Sequence, residues 1–284
     1  MTKDGEVTSM DAVTEVSMAP ASEAAGAARA AGVAVRELTT IDEFTGVCAL
    51  FQEIWRTGPR NPLVNNELLR ALTKAGNYLA GAFTGDRLVG ACVGFFGAPA
   101  ENTMHSHIAG VSATAAGRNV GYALKLHQRA WALHRGVGVI GWTFDPLVAR
   151  NAWFNLGKLG ATATEYLPDF YGGMRDLVNG GDDTDRLLVH WDLHRHDGIA
   201  GVPRHAVVAL GRTADGAPET GVTAGETLLV AVPPDITALR AGNPGRAREW
   251  RVAVRDVLGG LLADGARVAG FDRAGWYVLT REGR

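Results

Sequence analysis

The sequence predicts a mixed α/β (α+β) protein, a mostly antiparallel sheet flanked by helices with a small C-terminal α/β extension. Three observations carry that. From Val33 onward, strand-type alternation and helix-type 3.6 spacing follow one another repeatedly. Two strand patterns, YLAGAF and RLVGACVGFFG, are joined by Thr84-Gly85-Asp86, which predicts a hairpin. Apolar residues make up 46% of the 284, so there is material for a sizeable core.

Composition removes several classes. With 28 basic and 30 acidic residues the formal charge is −2, which argues against a nucleic-acid binder. No apolar run approaches the ~20 residues of a membrane helix, and the N-terminus lacks a signal-peptide core. The expectation is a cytoplasmic protein with no membrane partner. Cys48 and Cys92 are too few for a disulfide framework and show no metal-type spacing.

Taken in order, residues 1–32 carry no aromatic residue and are dominated by small side chains, so a disordered tail is expected, with at most a frayed Ala-rich helix. VAVREL reads as a strand and IDEFTGVCALFQEIW as a helix. NNELLRALTKAG is a second helix, closed at Gly76. After the hairpin, MHSHIAGVS is a strand and NVGYALKLHQRAWALHRG a helix ending at Gly136. Strand VIGWTF leads to Asp145-Pro146, read as N-cap and first helical residue of a helix reaching Gly160. ATATEYL and LLVHWDL are the last strands of a domain spanning 33–197. Residues 198–223 lack periodicity and read as a linker or irregular crossover. The extension, 224–284, is β-α-β-β: strand TLLVAVP, a helix from Asn243-Pro244 with Ala247, Trp250, Val254, Val257, Leu258 and Leu261 on one face, and a hairpin around Arg273-Ala274-Gly275. It is small enough that it is expected to pack on the first domain.

The stretch richest in chemistry is 105–124, HSHIAGVSATAAGRNVGYAL. A strand feeds a short Gly/Ala loop that turns into a helix. The first turn of a helix has unpaired N–H groups and the positive dipole end, a ready site for an anion such as a pyrophosphate. No Gly-Lys-Ser/Thr or three-glycine pattern accompanies it. The plain structural alternative is that Gly121 only permits close helix–strand packing. His105 and His107, two apart on one strand, point to the same face. An imidazole titrates near neutrality and can take a proton from an ammonium substrate. Alternatively, either ring is a packed strand residue. A His-x-His metal site would need further ligands that no nearby pattern supplies, so no metal is expected. Arg186, Arg251 and Arg255 are candidates for binding a carboxylate, with salt bridging as the alternative. Trp142, Trp153 and Trp191 read as core, and Asp182, Asp183 and Asp185 as a solvated turn.

Arg118-Asn119-Val120-Gly121-Tyr122-Ala123 after a strand resembles the Gln/Arg-x-x-Gly-x-Gly/Ala motif of the GNAT superfamily of N-acetyltransferases. The element order over 33–193 is similar too. WTFDPLVARNAWFNLGKLGA, YLPDFYGGM and DRLLVHW resemble a subgroup of predicted acetyltransferases whose C-terminal extension carries a Trp-Arg helix, as in Trp250-Arg251. The resemblance implies acyl transfer from acyl-CoA to an amine. The strand at Gly110 and Val111 would pair with the pantetheine arm. The backbone of Gly117, Arg118, Asn119, Val120, Gly121, Tyr122 and Ala123 would hold the pyrophosphate. Asn151, with Asn155 one turn on, would meet the pantetheine. His-x-His is similar to the corresponding strand of arylalkylamine N-acetyltransferases, where two histidines serve a proton relay.

One departure stands out. Many family members place a Tyr four residues before the Gly that ends the later helix, as the acid for the leaving thiolate. Here that position is Leu156. Tyr171 and Tyr166 are the substitutes nearest in sequence, each with a packed aromatic as its plain alternative. The expected function is therefore direct, ternary-complex transfer of an acetyl group, or a succinyl group held by Arg186 or Arg251, from acetyl-CoA or another acyl-CoA to a small amine or amino acid. A homodimer is compatible with this. The alternative is a non-catalytic acyl-CoA-binding sensor or interaction module, in keeping with the lost Tyr.

Overall fold

The computed structural model describes residues 10–57, 62–172, 182–195 and 205–281. The chain divides into two compact units, one comprising 1–54 and 58–138 and the other 55–57 and 139–284. The division falls at Gly138, well before the boundary expected near 197.

The first unit is built on four antiparallel strands in the order β1 (Ala34–Glu37), β2 (Tyr78–Thr84), β3 (Arg87–Phe96) and β4 (Thr103–Val111). The hairpin between β2 and β3 turns on Gly85, whose φ of 57° suits glycine. Helix α2 (Ile41–Trp55) buries Phe44, Val47, Leu50 and Phe51, the face its spacing predicts. Helix α3 (Asn66–Lys74) is capped by Asn65, whose side-chain oxygen accepts from the Leu68 amide, and the chain leaves it through Gly76 in the left-handed region. Helix α4 (Val120–His134) buries Val120, Ala123, Leu124 and Trp131.

The expected disordered tail is corrected. Met10–Ala30 is a helix, α1, that packs along α4. Ala24, Ala28 and Ala31 are buried, and Glu23 pairs with Arg129 at 2.8 Å. Alanine has the best helix propensity and lets two helices approach closely, so a segment without large side chains still finds a partner surface. Composition alone could not reveal that surface.

In the second unit, strands β5 (Val139–Phe144), β7 (Arg186–Asp192) and β6 (Thr162–Leu167) pair antiparallel in that order. Between β5 and β6 the predicted long helix is instead a short α5 (Ala149–Ala152) running into a π-helical turn, Trp153–Lys158. Asp145 is not its N-cap. The carboxylate accepts from the Leu147 amide and takes Arg240 and Arg251. The expected crossover at 198–223 is also corrected: it contributes β8 (Val207–Arg212) and β9 (Pro218–Thr220), while 196–204 lie outside the described residues. These join β10 (Thr227–Ala231), β11 (Arg267–Asp272) and β12 (Trp276–Thr280) in a five-stranded sheet ordered β11-β12-β10-β8-β9, with β8 parallel to β10. Sheet pairing across distant segments buries Ala209 and Leu210, a burial too short to print a period.

The C-terminal helical run starts as predicted. The Asn243 side chain caps α7 (Pro244–Val254) through the Arg246 amide, with Pro244 in the first turn. α6 (Ile236–Gly242) precedes it. A π-helical turn, Arg255–Gly259, leads into α8 (Gly260–Ala263). All six predicted face residues are buried. No helix among the described residues is long and apolar enough to cross a membrane.

Candidate functional site

The loop between β4 and α4 adopts a conformation the sequence only hinted at. Gly117 (φ 77°) and Asn119 (φ 62°) both lie in the left-handed region, with Arg118 between them. The first helical amide to find a main-chain acceptor inside the helix is that of Ala123, on Asn119 O at 3.1 Å. No side chain caps this N-terminus. Gly121 decides between the two readings of the motif. A Cβ there would meet only Val111 Cγ2, at an ordinary 3.8 Å. Internal packing therefore does not require glycine at 121, and the space beside its Cα is open. Arg118 has a role the sequence did not disclose: its Nη2 donates to Ala31 O and Gly32 O, at 3.2 Å each.

On β4 the two histidines share a face, with ring centroids 6.3 Å apart. Phe95, opposite His105 on β3, packs against both rings. Burial, then His107, then Lys125 push the His105 pKa down to about 4, and burial lowers that of His107. Both shifts favour the neutral imidazole. Between them Ser106 points to the opposite face. There it accepts from Lys125 Nζ at 2.8 Å and lies 3.8 Å from Cys92 Sγ. Lys125 also donates to Gln128 Oε1, and its burial lowers its pKa to about 8. This buried amine is a feature that sequence reading missed, since a Lys inside a helix pattern reads as a solvated face. The α1–α4–β1 junction holds a pocket of about 330 Å³, lined by alanines of α1 with His127 and Trp131. It contains neither β4 histidine nor the turn at 117–121, so it is not where this chemistry sits.

The remaining candidates lie in the second unit. Asn151 is half-buried on α5 and Asn155 buried in the π-helical turn. Leu156 is buried as well. Tyr166 is engaged elsewhere: its hydroxyl donates to Asp185 at 2.7 Å and burial raises its pKa, so it holds its proton. Tyr171 is exposed, bonded through its hydroxyl to Thr143, with the Arg186 guanidinium 5.2 Å over its ring. Arg251 is corrected. It is 1% exposed and held by Asp145 and Asp182, so it is not open to a substrate carboxylate. Arg255 is likewise engaged with Asp183 and Asp185; in the predicted solvated turn Asp183 is exposed, while the Asp182 and Asp185 carboxylates are buried against arginines.

GNAT-family N-acetyltransferases are among the structural neighbours of this chain. An N-acetyltransferase from Staphylococcus aureus is similar at 14% identity and a TM-score of 0.46, over 57% of this chain and 98% of that one. A putative acetyltransferase from Salmonella typhimurium, solved with its cofactor acetyl-CoA, is similar at 15% and 0.46, over 59% and 97%. The ribosomal-protein-S18-alanine N-acetyltransferase of Escherichia coli is similar at 12% and 0.45, over 60% and 96%. No protein-family model matches the sequence, and no curated protein matches it. At such identities the functional reading rests on the chain's own residues. Among the described residues, no group of His, Cys, Asp or Glu is placed to hold a metal ion.

Proposed function

We propose that the protein is an acyl-CoA-dependent N-acyltransferase that acts by direct transfer. The observation that carries the reading is the uncapped N-terminus of α4 with Gly121 open beside it. Amides there, at the positive end of a helix, suit a pyrophosphate. Gly110, Val111 and the 117–123 backbone are the donor-binding groups of the proposal. His105 and His107 deprotonate the amine, directly or through water, and the free amine attacks the thioester carbon. Amides near Ala109–Val111 stabilise the oxyanion. The C–N bond forms, the C–S bond breaks, and CoA leaves as a thiolate that Tyr171 or solvent protonates.

Acetyl is the favoured acyl group, since aspartate pairing takes Arg251 and Arg255, two of the three candidate arginines, away from a distal carboxylate and leaves Arg186. A small amine or amino acid is the favoured acceptor. Calorimetry with CoA tests the reading. Gly121→Asp should abolish binding while circular dichroism stays unchanged, because a carboxylate meets phosphate with like charge and fills the approach. Unchanged affinity would remove the main support. Binding without thiol release across an amine panel would favour the non-catalytic acyl-CoA module instead.

A further inference from the structure

We propose that the N-terminal helix is a working part of the anion turn: the Ala31 and Gly32 carbonyls hold the Arg118 guanidinium and thereby set the Gly117–Asn119 backbone. The inference rests on the donor-site reading above and adds a positioning element to it. The last carbonyls of a helix lack helical donors and form the negative end of its dipole, where a guanidinium is stabilised. α1 ends at Ala30, and the chain turns at Gly32 (φ 65°), which presents two successive carbonyls to Arg118 Nη2. The end of α1 is itself fixed. Ala28 and Ala31 are buried, and the Glu23–Arg129 pair adds a second attachment to α4.

The turn needs such a tether. A left-handed Asn119 stores strain, and no side chain caps the helix that follows. Left alone, that backbone would relax toward commoner conformations, and its amides would have to be reordered each time an anion bound. Tethering Arg118 removes that ordering cost before the ligand arrives. Both carbonyls engage Nη2, so the guanidinium keeps its positive charge beside the turn. The same side chain thus positions the turn and contributes charge to it. Gly32 makes the arrangement testable, because a Cβ there would stand 3.0 Å from Arg118 Nη2 on a backbone that β-branched residues avoid.

The experiment uses the full chain with Gly32→Val, Arg118→Ala and the double variant, and two readouts. Hydrogen exchange of the 117–121 amides is measured without ligand, and CoA affinity by calorimetry, with far-ultraviolet circular dichroism as the control. Each single variant should speed exchange in the turn and weaken CoA about tenfold, the scale of one charge-assisted hydrogen bond. The double variant should be no worse than the weaker-binding single, because both changes break one tether. Arg118→Lys should restore part of the protection. Additive losses, or exchange in Arg118→Ala at the wild-type rate, would overturn the proposal. A wild-type protein that binds no CoA would overturn the acyl-CoA reading, while the exchange data would still decide whether α1 holds the turn.

Discussion

Arg251 Nη2 grips both carboxylate oxygens of Asp145 at 3.0 Å, although the two residues stand 106 positions apart. The pair is buried, at 1% and 9% exposure of the side chains. Arg240 reaches the same carboxylate at 2.7 Å, and Asp182 accepts from both arginines. Burial by itself would raise the Asp145 pKa, but Arg251 and Arg240 outweigh it and hold the carboxyl below its ordinary range. This network knits the C-terminal helix to the end of β5.

Arg251→Ala should therefore behave as a stability variant. Removing Arg251 leaves the buried Asp145 and Asp182 carboxylates with Arg240 as their remaining partner, a loss toward the lower end of the about 3–5 kcal/mol of a broken buried pair, read in urea unfolding. Arg251→Lys should rescue little, because an ammonium cannot make the forked contact. All substrates should suffer alike. A normal melting temperature with selective loss on carboxylated substrates would return Arg251 to the binding role.

Disturbing α1 should cost stability. Ala28→Asp puts a carboxylate where the helix packs on α4, at an expected loss of about 1–3 kcal/mol. Deleting residues 1–32 should lower the melting temperature too, by uncovering the α4 face. Wild-type melting in both variants would restore the dispensable tail.

The histidine pair predicts a pH profile displaced to low pH. With the pKa of His105 near 4 and that of His107 lowered, kcat/KM should reach its plateau below neutrality once the amine's own titration is separated. It should fall as pH drops through the pair's shared titration. His105→Ala/His107→Ala should lose about 10²–10⁴-fold, recovering at high pH where free amine is abundant. Stability carries the same sign. A folded-state pKa below the unfolded 6.5 means that the unfolded chain binds more protons between about 6.5 and about 4, so stability is lost as pH falls through that window. A double variant with near-wild-type turnover at pH 7 would end the base assignment.

Lys125 gives an independent check at alkaline pH. Its folded pKa, lowered by burial from 10.5 to about 8, makes the unfolded chain bind more protons between those values. Stability should rise with pH across that window, and Lys125→Met should flatten the rise. The same variant removes a positive charge that helps to depress His105, so the acid limb of the activity profile should move upward. Urea midpoints at pH 8 and 10 with the same difference in both proteins would contradict the assignment.

Much of the local geometry around the candidate residues was legible because its signals are local. His105 and His107 share a face through strand alternation, and the turn at 117–121 is written by glycine and the start of a helical period. The caps at Asn65 and Asn243 are likewise decided within three residues of chain. What stayed hidden depends on partners distant in sequence. The α1 alanines have no visible reason to order until α4 lies beside them. Arg118 reads as a free cation until Ala31 and Gly32, some 86 positions away, supply carbonyls. Asp145 shows the limit most plainly: Asp-Pro is a sound helix start by local rules, and two buried arginines claim the side chain for another purpose. The sequence by itself determined the strands and helices between Val33 and the end of β5, the turn residues and the face the amphipathic helices bury, because hydrophobic period and backbone preference act over a few residues. Tertiary structure alone decided which charges are neutralised, which amine is buried and which helix end meets Arg118, because ion pairing and desolvation depend on distance in space.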